Sequence, residues 1–224
     1  TQKNLHPQFV SSIPPMIQTV KGSKQKNFFQ PSSITLSNLD FFIWTYLNEK
    51  IIILTLDGKK DFIFSRPEFE EYKSKVKIYK PTDAVIIKDD LYVADGYGSN
   101  FISVADIKTK KWKKIFAGPT DIPTEKGLFG TAHGFNLTPD GKMLSIADRP
   151  NSRFQHFTLE GNFKKSFNIP MGSKPCGIDF INWKGQSLAV VGSLDDPKEG
   201  KAAPIYILDA NTYELLSTIR PKDE

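Results

Sequence analysis

Residues 132–168 read AHGFNLTPDGKMLSIADRPNSRFQHFTLEGNFKKSFN. Three short β-rich runs, Met143–Asp148, Arg153–Thr158 and Lys164–Phe167, follow an opening of small residues and an apolar strand at Ala132-His133-Gly134-Phe135. Between the runs sit Asp140-Gly141 and Glu160-Gly161, which supply the positive φ that a two-residue hairpin turn demands. The stretch therefore reads as four strands joined by tight turns, one antiparallel sheet made of consecutive hairpins.

The same unit recurs on both sides. Its other openings are Pro31-Ser32-Ser33-Ile34, Pro81-Thr82-Asp83-Ala84 and Pro175-Cys176-Gly177-Ile178, and successive openings lie about 43 to 51 residues apart. That period matches propeller blades and is too long for the shorter solenoid repeats. The copy before the quoted stretch has runs at Leu91–Asp95, Phe101–Asp106 and Trp112–Ala117, and Asp57-Gly58 marks a further turn. Helical character is confined to Arg66–Lys77, where Pro67 starts a short helix in a connecting loop. The expectation is an all-β fold, a β-propeller of four-stranded blades: four are recognisable, and a closed ring would hold five or six. Residues 1–30 form an irregular segment, with Phe9–Val20 as candidate strands of a closing blade, and residues 31–224 form the propeller domain.

In an antiparallel blade the start of the first strand and the end of the second lie at one edge of the sheet. Ser32, Thr82, His133 and Cys176 then occupy equivalent positions near the axis on one face. The second-strand ends bring Asp95-Gly96-Tyr97 and Asp148-Arg149 to the same face. A pocket built around Tyr97, His133 and Arg149, with Asp95 beside it, is the candidate ligand site.

The stretches Pro81-Thr82-Asp83, Asp95-Gly96-Tyr97-Gly98, His133-Gly134 and Ala147-Asp148-Arg149-Pro150-Asn151-Ser152-Arg153-Phe154-Gln155 carry a resemblance. Together they resemble the peptidyl-α-hydroxyglycine α-amidating lyase family and its bacterial relatives with NHL-type repeats. The resemblance implies Tyr97 as the catalytic base on a substrate hydroxyl, Arg149 as the catalytic carboxylate clamp and His133 as one of three histidines on a zinc ion. The products would be a peptide amide and glyoxylate. The chain departs from that pattern at Ser32, where the family offers histidine, and at Phe101, where it offers arginine, and the family's last zinc histidine would fall beyond Glu224. A substitute zinc set would use His133, Cys176 and Asp83; otherwise no cofactor is implied. The favoured reading is a propeller that binds a small carboxylate, a peptide or another protein through a face-centred pocket. The alternative is a metal-dependent lyase cleaving peptidyl-α-hydroxyglycine.

Blander readings stand beside these. Arg149 pairs with Asp148 or Asp95 as an inter-blade strut, Tyr97 is a packed rim aromatic, His133 a hydrogen-bonded axial residue, and Cys176 a small apolar filler. His156 and His6 read as surface residues.

Net charge is +5, with lysines bunched at Lys21, Lys24 and Lys26 and across Lys108, Lys110, Lys111, Lys113 and Lys114. They read as a solvated hairpin rim, and no nucleic-acid partner is expected. No run approaches the ~20 apolar residues of a membrane-spanning helix. Cys176 is the only cysteine, which excludes an internal disulfide. The chain opens on Thr1 without a leader, which fits a removed export signal and a periplasmic or secreted protein. Phosphate-cradling glycine loops, paired metal cysteines and nucleophile elbows are absent.

Overall fold

A computed structural model describes residues 31–36, 40–45, 50–55, 59–75, 78–169, 172–196 and 201–220. By compactness the chain divides into Thr1–Gln30 and Pro31–Glu224. His6, Phe9–Val20, the lysines before residue 30 and Asp57-Gly58 lie outside the described residues.

The second unit holds four antiparallel sheets, each a simple meander of four strands. Blade 1 is β1 (Pro31–Leu36), β2 (Asp40–Thr45), β3 (Lys50–Thr55) and β4 (Lys60–Phe64); blade 2 is β5 (Asp83–Ile87), β6 (Asp90–Ala94), β7 (Phe101–Asp106) and β8 (Lys111–Ala117). Blade 3 is β9 (Ala132–Leu137), β10 (Met143–Asp148), β11 (Arg153–Thr158) and β12 (Phe163–Asn168); blade 4 is β13 (Pro175–Trp183), β14 (Gln186–Ser193), β15 (Ile205–Asp209) and β16 (Leu215–Ile219). The expected all-β propeller architecture is thus present, and β7, β10 and β11 keep the bounds read from the sequence. Gly141 and Gly161 adopt φ +70° and +97°, as their hairpin turns require. The connecting helix is shorter than the pattern suggested: α1 covers Glu70–Lys75 and starts beyond Pro67. Among the described residues no helix is long and apolar enough to cross a membrane.

The first strands lie side by side in chain order, β1 by β5, β5 by β9 and β9 by β13. Each seam between blades has its own apolar core: Ile51, Phe64 and Leu91 between blades 1 and 2; Ile102, Phe135 and Phe157 between 2 and 3; Phe154, Val191 and Tyr206 between 3 and 4. A middle strand is therefore covered on both faces. Sequences that would alternate at a surface are instead buried throughout, as in Phe101–Ala105 and Arg153–Phe157. At the hairpin rim Lys108, Lys110 and Lys113 pair with Asp89, Asp61 and Asp90 at 2.7, 3.3 and 2.6 Å, so the lysine run is a mixed-charge edge.

Double coverage corrects the reading of His156. It faces the seam with blade 4, fully buried, edge-on to Phe167 and Tyr213 at centroid distances of 5.5 and 5.2 Å. Neither ring nitrogen has a hydrogen-bond partner. Burial first, and then the Lys165 ammonium, push its pKa from 6.5 down to about 4, with the Asp140 carboxylate opposing. A base whose folded-state pKa is depressed binds protons more readily when the chain unfolds, so stability rises with pH. The contribution is complete above the unfolded value and is lost as pH falls from about 6.5 to about 4. At ~1.4 kcal/mol per pH unit the loss is on the order of 3 kcal/mol. Denaturant titrations at pH 7.5 and pH 4.5 should show this slope, and His156→Phe should remove most of it.

Candidate functional site

The blade openings share a backbone irregularity. In β13, Pro175 faces Ser193 while Gly177 faces Gly192, which leaves Cys176 as an extra residue. Ser32 is the extra residue of β1, between Pro31 opposite Thr45 and Ser33 opposite Trp44. In β9 the register shifts between Ala132 and Phe135, across His133 and Gly134. Blade 2 repeats the device, since Thr82 N donates to Ala94 O at 2.8 Å while Asp83 also faces Ala94. Bulges re-aim the residue they insert. Here they leave His133 and Cys176 unpaired in the ladders of their own blades.

Gly134 packs on the neighbouring opening so closely that a Cβ would fall 2.4 Å from the Cys176 carbonyl oxygen. His133 exploits the contact: its Nδ1 lies 2.6 Å from that carbonyl. A carbonyl only accepts, so Nδ1 carries the proton and Nε2 is an acceptor. Nε2 lies 3.1 Å from the Tyr97 hydroxyl, which donates to it, and that hydroxyl receives an Arg149 Nη1–H at 2.7 Å. The guanidinium carbon stands 5.0 Å from the centre of the Tyr97 ring. Donors and acceptors thus run in one direction, from Arg149 through Tyr97 and His133 to the Cys176 carbonyl, across blades 2, 3 and 4.

Burial, and the Arg149 charge against the pull of the Cys176 carbonyl, hold the His133 pKa below 6.5, in keeping with a neutral acceptor. Burial pushes the Cys176 thiol up, although the Arg149 charge works the other way. Tyr97 is 39% exposed and His133, Arg149 and Cys176 are half-buried, so the row opens to solvent along one edge.

Two buried carboxylates stand behind this row. Asp148 Oδ1 accepts from Gly130 N at 2.9 Å, and its Oδ2 from Arg153 Nε and Asn151 Nδ2 at 2.8 and 2.9 Å. Asp148 therefore turns inward, and the 3₁₀ turn that follows it begins on Arg149. Asp95 accepts from Lys80 N at 2.6 Å, from Ser99 N at 2.8 Å and Ser99 Oγ at 2.6 Å, and from the Tyr72 hydroxyl. Asp95 is fully buried and anchors the loop that carries Tyr97. Among the described residues neither aspartate is bonded to Arg149: Asp148 pairs with Arg153, and Asp95 accepts from Tyr72 and Ser99.

The substitute metal set does not assemble either. Asp83 accepts from Ala84 N and Phe135 N at 2.9 Å each, tying blade 2 to blade 3. Among the described residues no three His, Cys, Asp or Glu side chains stand where they could hold a metal ion. His133, with Nδ1 on a carbonyl and Nε2 outward, has the posture of a metal-bound histidine. The two further protein donors that zinc requires are not beside it. Sequence reading missed Asn100, Tyr72 and Arg153. Only Asn100 carries a local signal, an asparagine at φ +60°, where that residue is tolerated.

No family model matches the chain. In sequence it is 24% identical over 218 residues to peptidyl-glycine alpha-amidating monooxygenase A of Xenopus laevis, a match covering 93% of this chain and 23% of that one. It is 24% identical over 151 residues to the probable peptidyl-alpha-hydroxyglycine alpha-amidating lyase pgal-1 of Caenorhabditis elegans, covering 65% and 43%. With peptidyl-alpha-hydroxyglycine alpha-amidating lyase 1 of Drosophila melanogaster the identity is 26% over 159 residues, covering 66% and 29%. The chain therefore spans less than half the length of each curated relative. Among solved structures, Kuenenia stuttgartiensis hydrazine synthase superposes with a TM-score of 0.62 at 15% identity, over 90% of this chain and 52% of that one. Staphylococcus aureus virginiamycin B lyase gives 0.58 at 15%, over 89% and 73%. These neighbours share the propeller fold, and the resemblance to amidating lyases is carried by sequence.

Asp148→Asn should cost about 3–5 kcal/mol in unfolding free energy, because Arg153 would stay buried without its counter-charge. Equilibrium denaturation measures it, and a loss under 1 kcal/mol would show that the pair does not hold the Arg149 turn.

Proposed function

We propose that the exposed edge shared by Tyr97, His133, Arg149 and Cys176 binds a small carboxylate, free or at the end of a peptide. The observation that supports this most directly is the Tyr97 hydroxyl held between Arg149 and His133. A guanidinium carries five N–H donors, and the Tyr97 hydroxyl takes one of them. The remaining donors suit the two oxygens of a carboxylate, and among the described residues no acidic side chain is bonded to Arg149 to compete. A peptide end would lie across three blades at the axial edge. An exported, periplasmic or secreted, setting belongs to this reading, as does recognition of another protein through its chain terminus.

A second reading, lyase action on a peptidyl-α-hydroxyglycine, is supported by the likeness to the named amidating lyases and by the proton order of the row. Tyr97 already donates to a neutral imidazole nitrogen. It can pass its proton to His133 as it takes the proton of a substrate hydroxyl; the C–N bond then breaks, the aldehyde forms from the former carbinol, and the proton held on His133 is returned to the leaving amide nitrogen. Arg149 would hold the substrate carboxylate. No part of this sequence runs through a metal.

Calorimetry with glyoxylate, and with one short peptide bearing either a free or an amidated C-terminus, tests the first reading. Binding should require the free carboxylate. Arg149→Lys keeps the charge but loses the planar fork, so affinity should drop by about 1–3 kcal/mol, roughly 5- to 150-fold, with little change in melting temperature. A clear fall in melting temperature with unchanged binding would make Arg149 a structural residue. Glyoxylate release from a peptidyl-α-hydroxyglycine, assayed with and without added zinc, tests the second.

A further inference from the structure

We infer that Thr82 and Asn100 are the positioning residues of the row, setting the gap across which Tyr97 reaches His133. Tyr97 belongs to blade 2 and His133 to blade 3, so no single sheet fixes their separation. Between these blades lies an apolar seam of Ile102, Phe135, Ile146 and Phe157. Apolar burial is non-directional and sets no register to within a hydrogen-bond length. The polar links at the axial end of the seam do.

Ala132, the residue before His133, is held on both of its backbone groups by side chains of blade 2. Thr82 Oγ1 donates to Ala132 O at 2.7 Å, and Asn100 Oδ1 accepts from Ala132 N at 3.0 Å. Asn100 Nδ2 also donates to Gly130 O at 3.2 Å. The same two residues hold the loop that carries Tyr97. Gly96 N donates to Thr82 Oγ1 at 3.3 Å, and Asn100 N donates to Asp95 O at 2.8 Å. Between them the backbones touch: a Cβ on Gly96 would lie 1.8 Å from Ala132 O. One threonine and one asparagine therefore grip, at the same time, the residue before His133 and the loop of Tyr97. Both are buried or half-buried, and Asn100 keeps the left-handed backbone that lets its amide face two strands at once.

This inference concerns the resting geometry on which the proposed binding rests, and it is read without a ligand, so its failure and the failure of carboxylate binding are separate results. The experiment is a ¹⁵N NMR titration of the imidazoles in the full chain, with His133 assigned through His133→Gln. In the unaltered protein His133 should show a protonated Nδ1 and an acceptor Nε2. Thr82→Val, nearly isosteric but without the hydroxyl, and Asn100→Gly, which keeps the left-handed backbone, should both weaken the Tyr97 bond to Nε2. The neutral form then loses a donor, and the His133 midpoint should rise by roughly half a unit. Thr82→Ser restores the hydroxyl and should restore the midpoint. Ile102→Val thins the apolar seam and leaves the polar links to Ala132 in place; it should lower the melting temperature and leave the midpoint in place. An unchanged midpoint in both Thr82→Val and Asn100→Gly, or an equal shift in Ile102→Val, would overturn the inference.

Discussion

A carboxylate buried at the end of a strand has to be satisfied by protein groups alone, and in blades 2 and 3 that demand shapes the loop that follows. Asp95 draws in the backbone of Lys80 and Ser99, and Asp148 draws in Gly130 and Arg153. Each loop is closed around its aspartate, and the residue that emerges toward solvent, Tyr97 in one and Arg149 in the other, owes its position to the group behind it. Blade 4 uses a variant: Asp196, buried beyond the end of β14, pairs with Arg220 after β16. Polar burial of this sort is expensive to leave half-made, which is why the loops have little room to differ.

The seams between blades are built to another rule. Away from the axis they are filled by branched and aromatic side chains, and Phe167 and Tyr213 stack at 3.8 Å across the third seam. Such contacts supply cohesion but little direction. Near the axis the chain switches to side chains that bond backbone: Thr82, Asn100 and Asp83 at one seam, His133 at the next. Cohesion and alignment are thus separated in space, and the candidate site lies at the aligned end.

Local pattern carried the fold well because its determinants are local. Asp140-Gly141 and Glu160-Gly161 set two hairpins, and β10 and β11 fill the space between turns. The equivalence of Ser32, Thr82, His133 and Cys176 was also legible, since it depends on strand order within one blade. His156 was not, because it shares a strand face with Phe154 and part of the cover on that face, Tyr213, comes from the neighbouring blade. The surroundings of Asp95 were hidden for a similar reason: its partner Tyr72 lies 23 residues away on a short helix. The bond from Thr82 to Ala132 spans 50 positions, and no window of sequence contains both ends.

The extra residue at each blade opening has a further consequence. In β9 and β13 the bulge is made by main chain, helped by the close approach of Gly134 to its neighbour, and the ladder closes without pairing His133 or Cys176. The strand pairing therefore does not fix which side chain stands at those positions. The openings act as sockets, in which serine, histidine and cysteine already sit on an equivalent backbone at Ser32, His133 and Cys176. Chemistry at the axis can then be rewritten one blade at a time, by evolution or by a designer placing a new ligand set, without renegotiating the sheet that carries it.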